Sequence, residues 1–172
     1  MKKILIFILV FFGSIIVFMP KINLYNTLEK FLKDERILIK EQKISDNFIS
    51  LDIEGATLFY DGIKSLEIGS LNVKPWLITN EIILTDIKPS AVIKKQLDVK
   101  ADNIKISYSL WDHENVKIFA EGDFGEINGN FEVLSGKLHL VLDASKKFVN
   151  NSFVRQNFKK SEEGLVYEQI IK

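Results

Sequence analysis

Residues 104–120 read IKISYSLWDHENVKIFA. Ile104, Ile106, Tyr108 and Leu110 alternate with Lys105, Ser107 and Ser109, and Val116, Ile118 and Ala120 alternate around Lys117. A period of two marks a strand with one buried and one wetter face. Between the runs lies Asp112-His113-Glu114-Asn115, a cluster of turn formers, so the stretch predicts a β-hairpin turning over those four residues.

The same pattern recurs outward from this hairpin. Ile49, Leu51 and Ile53 alternate with Ser50 and Asp52, and Leu138, Leu140 and Leu142 follow Ser135-Gly136. Further turns are expected at Asp61-Gly62, Gly122-Asp123, Asn128-Gly129 and Ser135-Gly136. Val149, Phe153 and Phe158 predict a short helix or irregular segment, and a last strand spans Leu165 to Ile171. Short strands joined by such turns imply antiparallel meander packing rather than βαβ units.

The N-terminus has a different grammar. Lys2-Lys3 precede an apolar run from Ile4 to Met19, broken only by Gly13 and Ser14 and ended by Pro20-Lys21. The run as a whole is apolar on every face, which suits a membrane anchor, with Ile4, Phe7, Phe11, Ile15 and Phe18 as its anchor residues, and not one side of a soluble helix. Sixteen residues give roughly 24 Å, short of a hydrocarbon core of about 30 Å, and lysines at both ends can reach outward to make up part of the difference. A cleavable signal peptide is the alternative, but Val17-Phe18-Met19-Pro20 is bulky where cleavage requires small residues. Lys2 and Lys3 favour a cytoplasmic N-terminus, although Lys21, Lys30 and Lys33 flank the other side. Behind the anchor, Leu24, Leu28, Phe31 and Leu32 form one helix face over Asn23 to Lys33, with Asn26 and Glu29 spaced as a capping box and Asn23 as another possible cap.

Composition narrows the classes of function. The 172 residues leave room for one domain plus an anchor, and 47% hydrophobic residues exclude disorder for the bulk of the chain. Removing Lys2 and Lys3 leaves 21 basic against 23 acidic residues, which argues against nucleic acid as a partner. With no cysteine, disulfides, thiolate metal sites, a cysteine nucleophile and lipoprotein attachment are all excluded.

No catalytic constellation assembles. Serines form neither a G-x-S-x-G elbow nor an S-x-x-K arrangement. Asp34-Glu35 and Glu162-Glu163 read as solvated charges, and Asn150-Asn151-Ser152 is a sequon of the kind that arises by chance. His113 sits among turn residues, and His139 falls on the wetter side of its strand, so no metal or other cofactor is expected. Lys74-Pro75-Trp76-Leu77 reads as a strand break that plugs the core with an aromatic, or one that touches a ligand or partner.

The order of features carries a resemblance. After the anchor ending in Met19-Pro20-Lys21 come Asn23-Leu24-Tyr25-Asn26-Thr27-Leu28-Glu29, then Gly55-Ala56-Thr57-Leu58-Phe59-Tyr60-Asp61-Gly62 and Lys74-Pro75-Trp76-Leu77. Gly136-Lys137-Leu138-His139-Leu140 and Gly164-Leu165-Val166-Tyr167-Glu168 follow. This arrangement resembles the N component of type II secretion systems and, more broadly, AsmA-like periplasmic proteins built from a curled amphipathic sheet. Length and single anchor also resemble the small bitopic lipopolysaccharide-export subunit with a β-jelly roll.

The expectation is therefore a mainly β fold: a transmembrane helix (residues 1–20), a juxtamembrane amphipathic helix (21–35), and a curled antiparallel or jelly-roll-like periplasmic domain (36–172) with one or two short helices. The resemblance implies a non-enzymatic, single-pass protein of a bacterial inner membrane that contacts secretion machinery. The alternative is a bridge module passing lipopolysaccharide or phospholipid outward. Trp76, Ile104, Ile106, Tyr108, Leu138 and Leu140 are the candidate contacts on the apolar face.

Overall fold

The computed structural model describes residues 2–76, 78–95 and 98–171. Helix α1 (Lys2–Phe18) forms over the apolar run and stops before Pro20, which lacks an N–H and disfavours helix in the residue ahead of it. Its 17 residues extend about 26 Å. Among the described residues no helix is long and apolar enough to cross a membrane.

The chain re-enters helix at once as α2 (Lys21–Asp34). The expected capping by Asn26 with Glu29, or by Asn23, does not occur. The helix starts ahead of both, at Pro20, whose side chain offers no acceptor.

One eleven-stranded sheet follows. Its strands are β1 (Ile37–Lys40), β2 (Lys43–Asp46), β3 (Leu51–Tyr60), β4 (Ile63–Pro75), β5 (Thr79–Pro89), β6 (Ala101–Ser109), β7 (Asp112–Gly122), β8 (Gly125–Glu132), β9 (Lys137–Ala144), β10 (Lys159–Ser161) and β11 (Gly164–Ile170). Helix α3 (Ala91–Lys94) lies between β5 and β6, and α4 (Ser152–Asn157) between β9 and β10. From β3 to β9 each strand pairs antiparallel with the next in the chain. Strand β11 then joins β9 and carries β10, while β1 and β2 share the outer edge of β3. This is the meander the turns imply. A jelly roll needs Greek-key connections, and this sequential order has none among the described residues.

Asp61-Gly62 turns as expected, with φ of 52° and 77°, the two left-handed residues of a type I′ hairpin. Two other expected turns are displaced. The β6–β7 hairpin turns at Leu110-Trp111, with Ser109 opposite Asp112. Asn115 pairs with Glu132 of β8, and this ladder draws Asp112–Asn115 into the strand. Asn128-Gly129 lies inside β8. A Cβ at Gly129 would come within 2.3 Å of the His139 carbonyl oxygen, so glycine is there for close strand approach and not for a turn.

Register across the sheet produces continuous rows. One runs Leu51–Val73–Ile82–Ile106–Ile118–Gly129–Leu140–Tyr167, and the next Ile53–Leu71–Leu84–Ile104–Ala120–Ile127–Leu142–Leu165. The opposite face is wetter. It carries ion pairs such as Lys105–Glu81 at 2.7 Å and Lys137–Glu168 at 2.8 Å, interspersed with Ile83, Phe119 and Val141.

Beyond the second row the apolar step changes from two to three: Ile53 to Ala56, Leu71 to Ile68, Leu84 to Ile87, Ile104 to Ala101. An odd step would throw the side chain to the other face unless the strand bulges. Gly55 (φ 65°) and Asp86 (φ 52°) take left-handed conformations within β3 and β5, and β6 slips against β7 between Ala101 and Asn103. A crease thus crosses neighbouring strands and keeps one face apolar. The buried core runs along this crease from Tyr25 of α2, Leu51 and Ile53 through Leu71, Ile87, Ala101 and Ala120 to Leu142, Phe124 and Val154 of α4. The fully buried Leu51, Ile53, Leu142 and Val154 lie toward its two ends.

Candidate functional site

Ile104, Ile106, Tyr108, Leu138 and Leu140 all lie on the apolar face. Ile106 connects through Ile118 and Gly129 to Leu140, and Tyr108 through Val116 and Phe131 to Leu138. Ile106, Tyr108, Ile118, Phe131, Leu138 and Leu140 are each only partly buried and stand outside the group packed on the core. Helix α2 keeps mainly to β1, and α3 to β4 and β5. Eight strands from β3 to β11 carry these rows, a span of about 34 Å at ordinary strand spacing. Phe131 escapes a reading from sequence because Asn128-Gly129 looks like a turn and cuts its strand short.

Helix α2 forms a side wall to this face. Leu24 and Leu28 meet Leu51, Val73, Pro75 and Ile82 around an apolar cavity of about 110 Å³. Of the helix face Leu24, Leu28, Phe31 and Leu32, the first three are exposed and Leu32 is half-buried, while Tyr25 is the apolar residue of α2 that is buried. The Tyr25 hydroxyl donates to the Glu41 carboxylate, which fixes the helix in this rotation. Burial first, then the Glu41 carboxylate, pushes the Tyr25 hydroxyl well above its usual range. Glu29 is raised as well, by desolvation and then by the neighbouring Glu41. Lys21, 4% exposed, pairs with Asp46 at 3.0 Å.

Trp76 is not a core plug. Strand β4 ends at Pro75, paired with Asn80, and Trp76 stands 43% exposed in the loop beyond, its N–H donating to the Thr79 carbonyl at 3.1 Å. Leu77 lies outside the described residues. On α1, Ile4, Phe7, Phe11 and Phe18 are exposed and Ile15 is half-buried, with Phe7 and Phe11 stacked at 6.4 Å.

Among the described residues, the two histidines lie apart. His113 is exposed near the start of β7, and His139 sits on the wetter face with Nδ1 3.0 Å from Glu168 Oε1. Hydrogen bonds from Lys137 first, then His139, hold the Glu168 carboxyl below its usual range. Among the described residues, no three His, Asp or Glu side chains are placed to hold a metal ion. What the arrangement offers chemically is a long apolar surface with a wetter back. In comparisons with protein-family models, curated proteins and solved structures, nothing matches this chain.

Proposed function

We propose that this chain is a non-enzymatic envelope protein, held to a bacterial inner membrane by α1, whose sheet binds lipid acyl chains along its apolar face. One observation carries this reading: among the described residues, the row Ile106–Ile118–Gly129–Leu140 lies outside the group packed on the core, and Ile106, Ile118 and Leu140 stay only partly buried. Ile83, Phe119 and Val141 on the wetter face are half-buried too, so it is the unbroken apolar row, and not burial alone, that supports reading this side as a trough. Such a trough, walled by Leu24 and Leu28, suits a flexible apolar ligand. The helix α1 supports the anchor assignment through an apolar run broken only by Gly13 and Ser14, and Lys2 and Lys3 support a periplasmic sheet.

The second reading, a scaffold of the type II secretion N kind, is favoured by one edge. Strand β10 covers β11 only from Gly164 to Val166, so Tyr167–Ile170 pair with β9 on one side alone among the described residues. A partner strand could add there. Photo-crosslinking residues placed at Ile106, Leu140 and Gln169 in the full chain, in cells, separate the two. Lipid adducts from Ile106 and Leu140 are the expected result. Protein adducts from Gln169, with no lipid from the other two, would retire the trough in favour of the scaffold.

A further inference from the structure

Because the sheet is a meander, alternate loops fall at opposite ends of its strands. One rim holds the loop before β3, the β4–β5, β6–β7 and β8–β9 loops, and the end of β11. Each carries a large apolar side chain in the open: Phe48 (75% exposed), Trp76 (43%), Trp111 (85%), Leu134 (81%) and Ile170 (64%). Turns have no chemical need of such residues, since Gly, Asn, Asp and Ser make them best. The opposite rim turns through Asp61-Gly62, Asp123, Lys146-Lys147 and Glu162-Glu163. This rim also exposes Tyr60, Ile63, Val92, Val149 and Phe153, but both tryptophans of the chain stand on the first rim.

The apolar tips are braced. The Leu110 N–H donates to the Ile78 carbonyl at 2.9 Å, joining the two loops that bear the chain's two tryptophans. Asp52 accepts from Asn47 and Ser50, which holds the loop of Phe48. The end of α1 arrives at this same rim. Residues from Val17 to Lys21 line one hollow with Asp46, Asn47 and Phe48.

We infer that this rim is a membrane-contact edge, its tips set into the interfacial layer of the bilayer that α1 enters. The inference rests on the membrane reading above and goes beyond it by fixing which edge of the sheet meets lipid. Neighbouring tips stand about two strand spacings, roughly 10 Å, apart, a comb of separate side chains. A fluid surface fills the gaps of a comb, whereas a second protein needs a contiguous patch to pack against. Tryptophan is also the side chain favoured at the level of lipid headgroups.

The two tryptophans are their own reporters. The full chain is reconstituted in phosphatidylcholine vesicles with and without bromine on the acyl chains. Flotation of the vesicles and quenching of tryptophan emission are both read. The expected result is flotation with most emission quenched, and with Trp76→Phe and Trp111→Phe each leaving one quenched tryptophan. A reporter on the opposite rim, Lys146→Trp in the Trp76→Phe/Trp111→Phe background, stays unquenched. Flotation without quenching of the native tryptophans overturns the rim assignment alone, and so does equal quenching of the Lys146→Trp reporter. Failure to float overturns the membrane reading and the inference with it.

Discussion

Lys21 Nζ lies 3.0 Å from Asp46 Oδ1, tying the first residue of α2 to the last residue of β2. The lysine is almost fully buried while the aspartate is about one-third exposed. Asp46→Ala leaves the cation desolvated without its partner, so the protein loses about 1–3 kcal/mol of stability. Denaturant melts check the size, and hydrogen exchange should show the loss concentrated in α2. Replacing both residues by apolar ones of similar volume should cost less than the single change.

Gly129→Ala should destabilise by roughly 1–3 kcal/mol, because the new Cβ meets the His139 carbonyl oxygen and the Leu140 side chain at once. Gly62→Ala is the comparison. Open space surrounds Gly62, and only its left-handed φ of 77° opposes a side chain, at a cost of about 1–2 kcal/mol. A Gly129→Ala protein as stable as wild type would show that β8 and β9 do not approach as closely as described.

Ile106→Asp and Leu140→Asp place a charge on the uncovered part of the apolar face. Acyl-chain affinity should fall by about tenfold or more, measured by displacement of a fluorescent fatty acid. Lys105→Asp, one residue away on the wetter face, should leave affinity unchanged. The partial exposure of Ile106 and Leu140 lets the fold survive, which circular dichroism checks. Unfolding by either aspartate would make these residues ordinary core.

Glu29 and the carboxylates of the wetter face give opposite pH dependences. The pKa of Glu29 is raised above its ordinary 4.5, so the native state holds that proton more tightly than the unfolded chain. Its contribution is present at acid pH and is lost as pH rises through the raised value. Glu67 and Glu168 are lowered, chiefly by Lys64 and Lys137, so theirs is present at neutral pH and lost as pH falls through the depressed values. Glu29→Gln should therefore raise the melting temperature at pH 7 and not at pH 4. The gain is about half a kcal/mol or less, because water screens a largely solvated carboxylate.

The apolar face was legible where the strand period was clean. Ile104, Ile106, Tyr108, Leu138 and Leu140 fall together because strict alternation and antiparallel pairing leave no other arrangement. Strands β4 and β5 were harder to read, since the three-residue steps Ile68–Leu71 and Leu84–Ile87 hide the period that the crease restores in space. Trp76 was misplaced for a general reason. A large apolar residue beside a proline looks like core when only its own segment is considered. Its exposure becomes meaningful only beside Phe48, Trp111 and Leu134, which register gathers from loops tens of residues apart.

Sequential pairing has a consequence for how the molecule assembles. From β3 to β9 every strand meets a neighbour made just before or just after it, so closing each hairpin fixes only the loop between them, the longest being residues 90–100 with α3. Such low contact order favours rapid folding, and the sheet can lengthen one hairpin at a time as the chain emerges. The late-made β11 must reach back past β10 to β9, so the C-terminal edge is the step that waits for a complete chain.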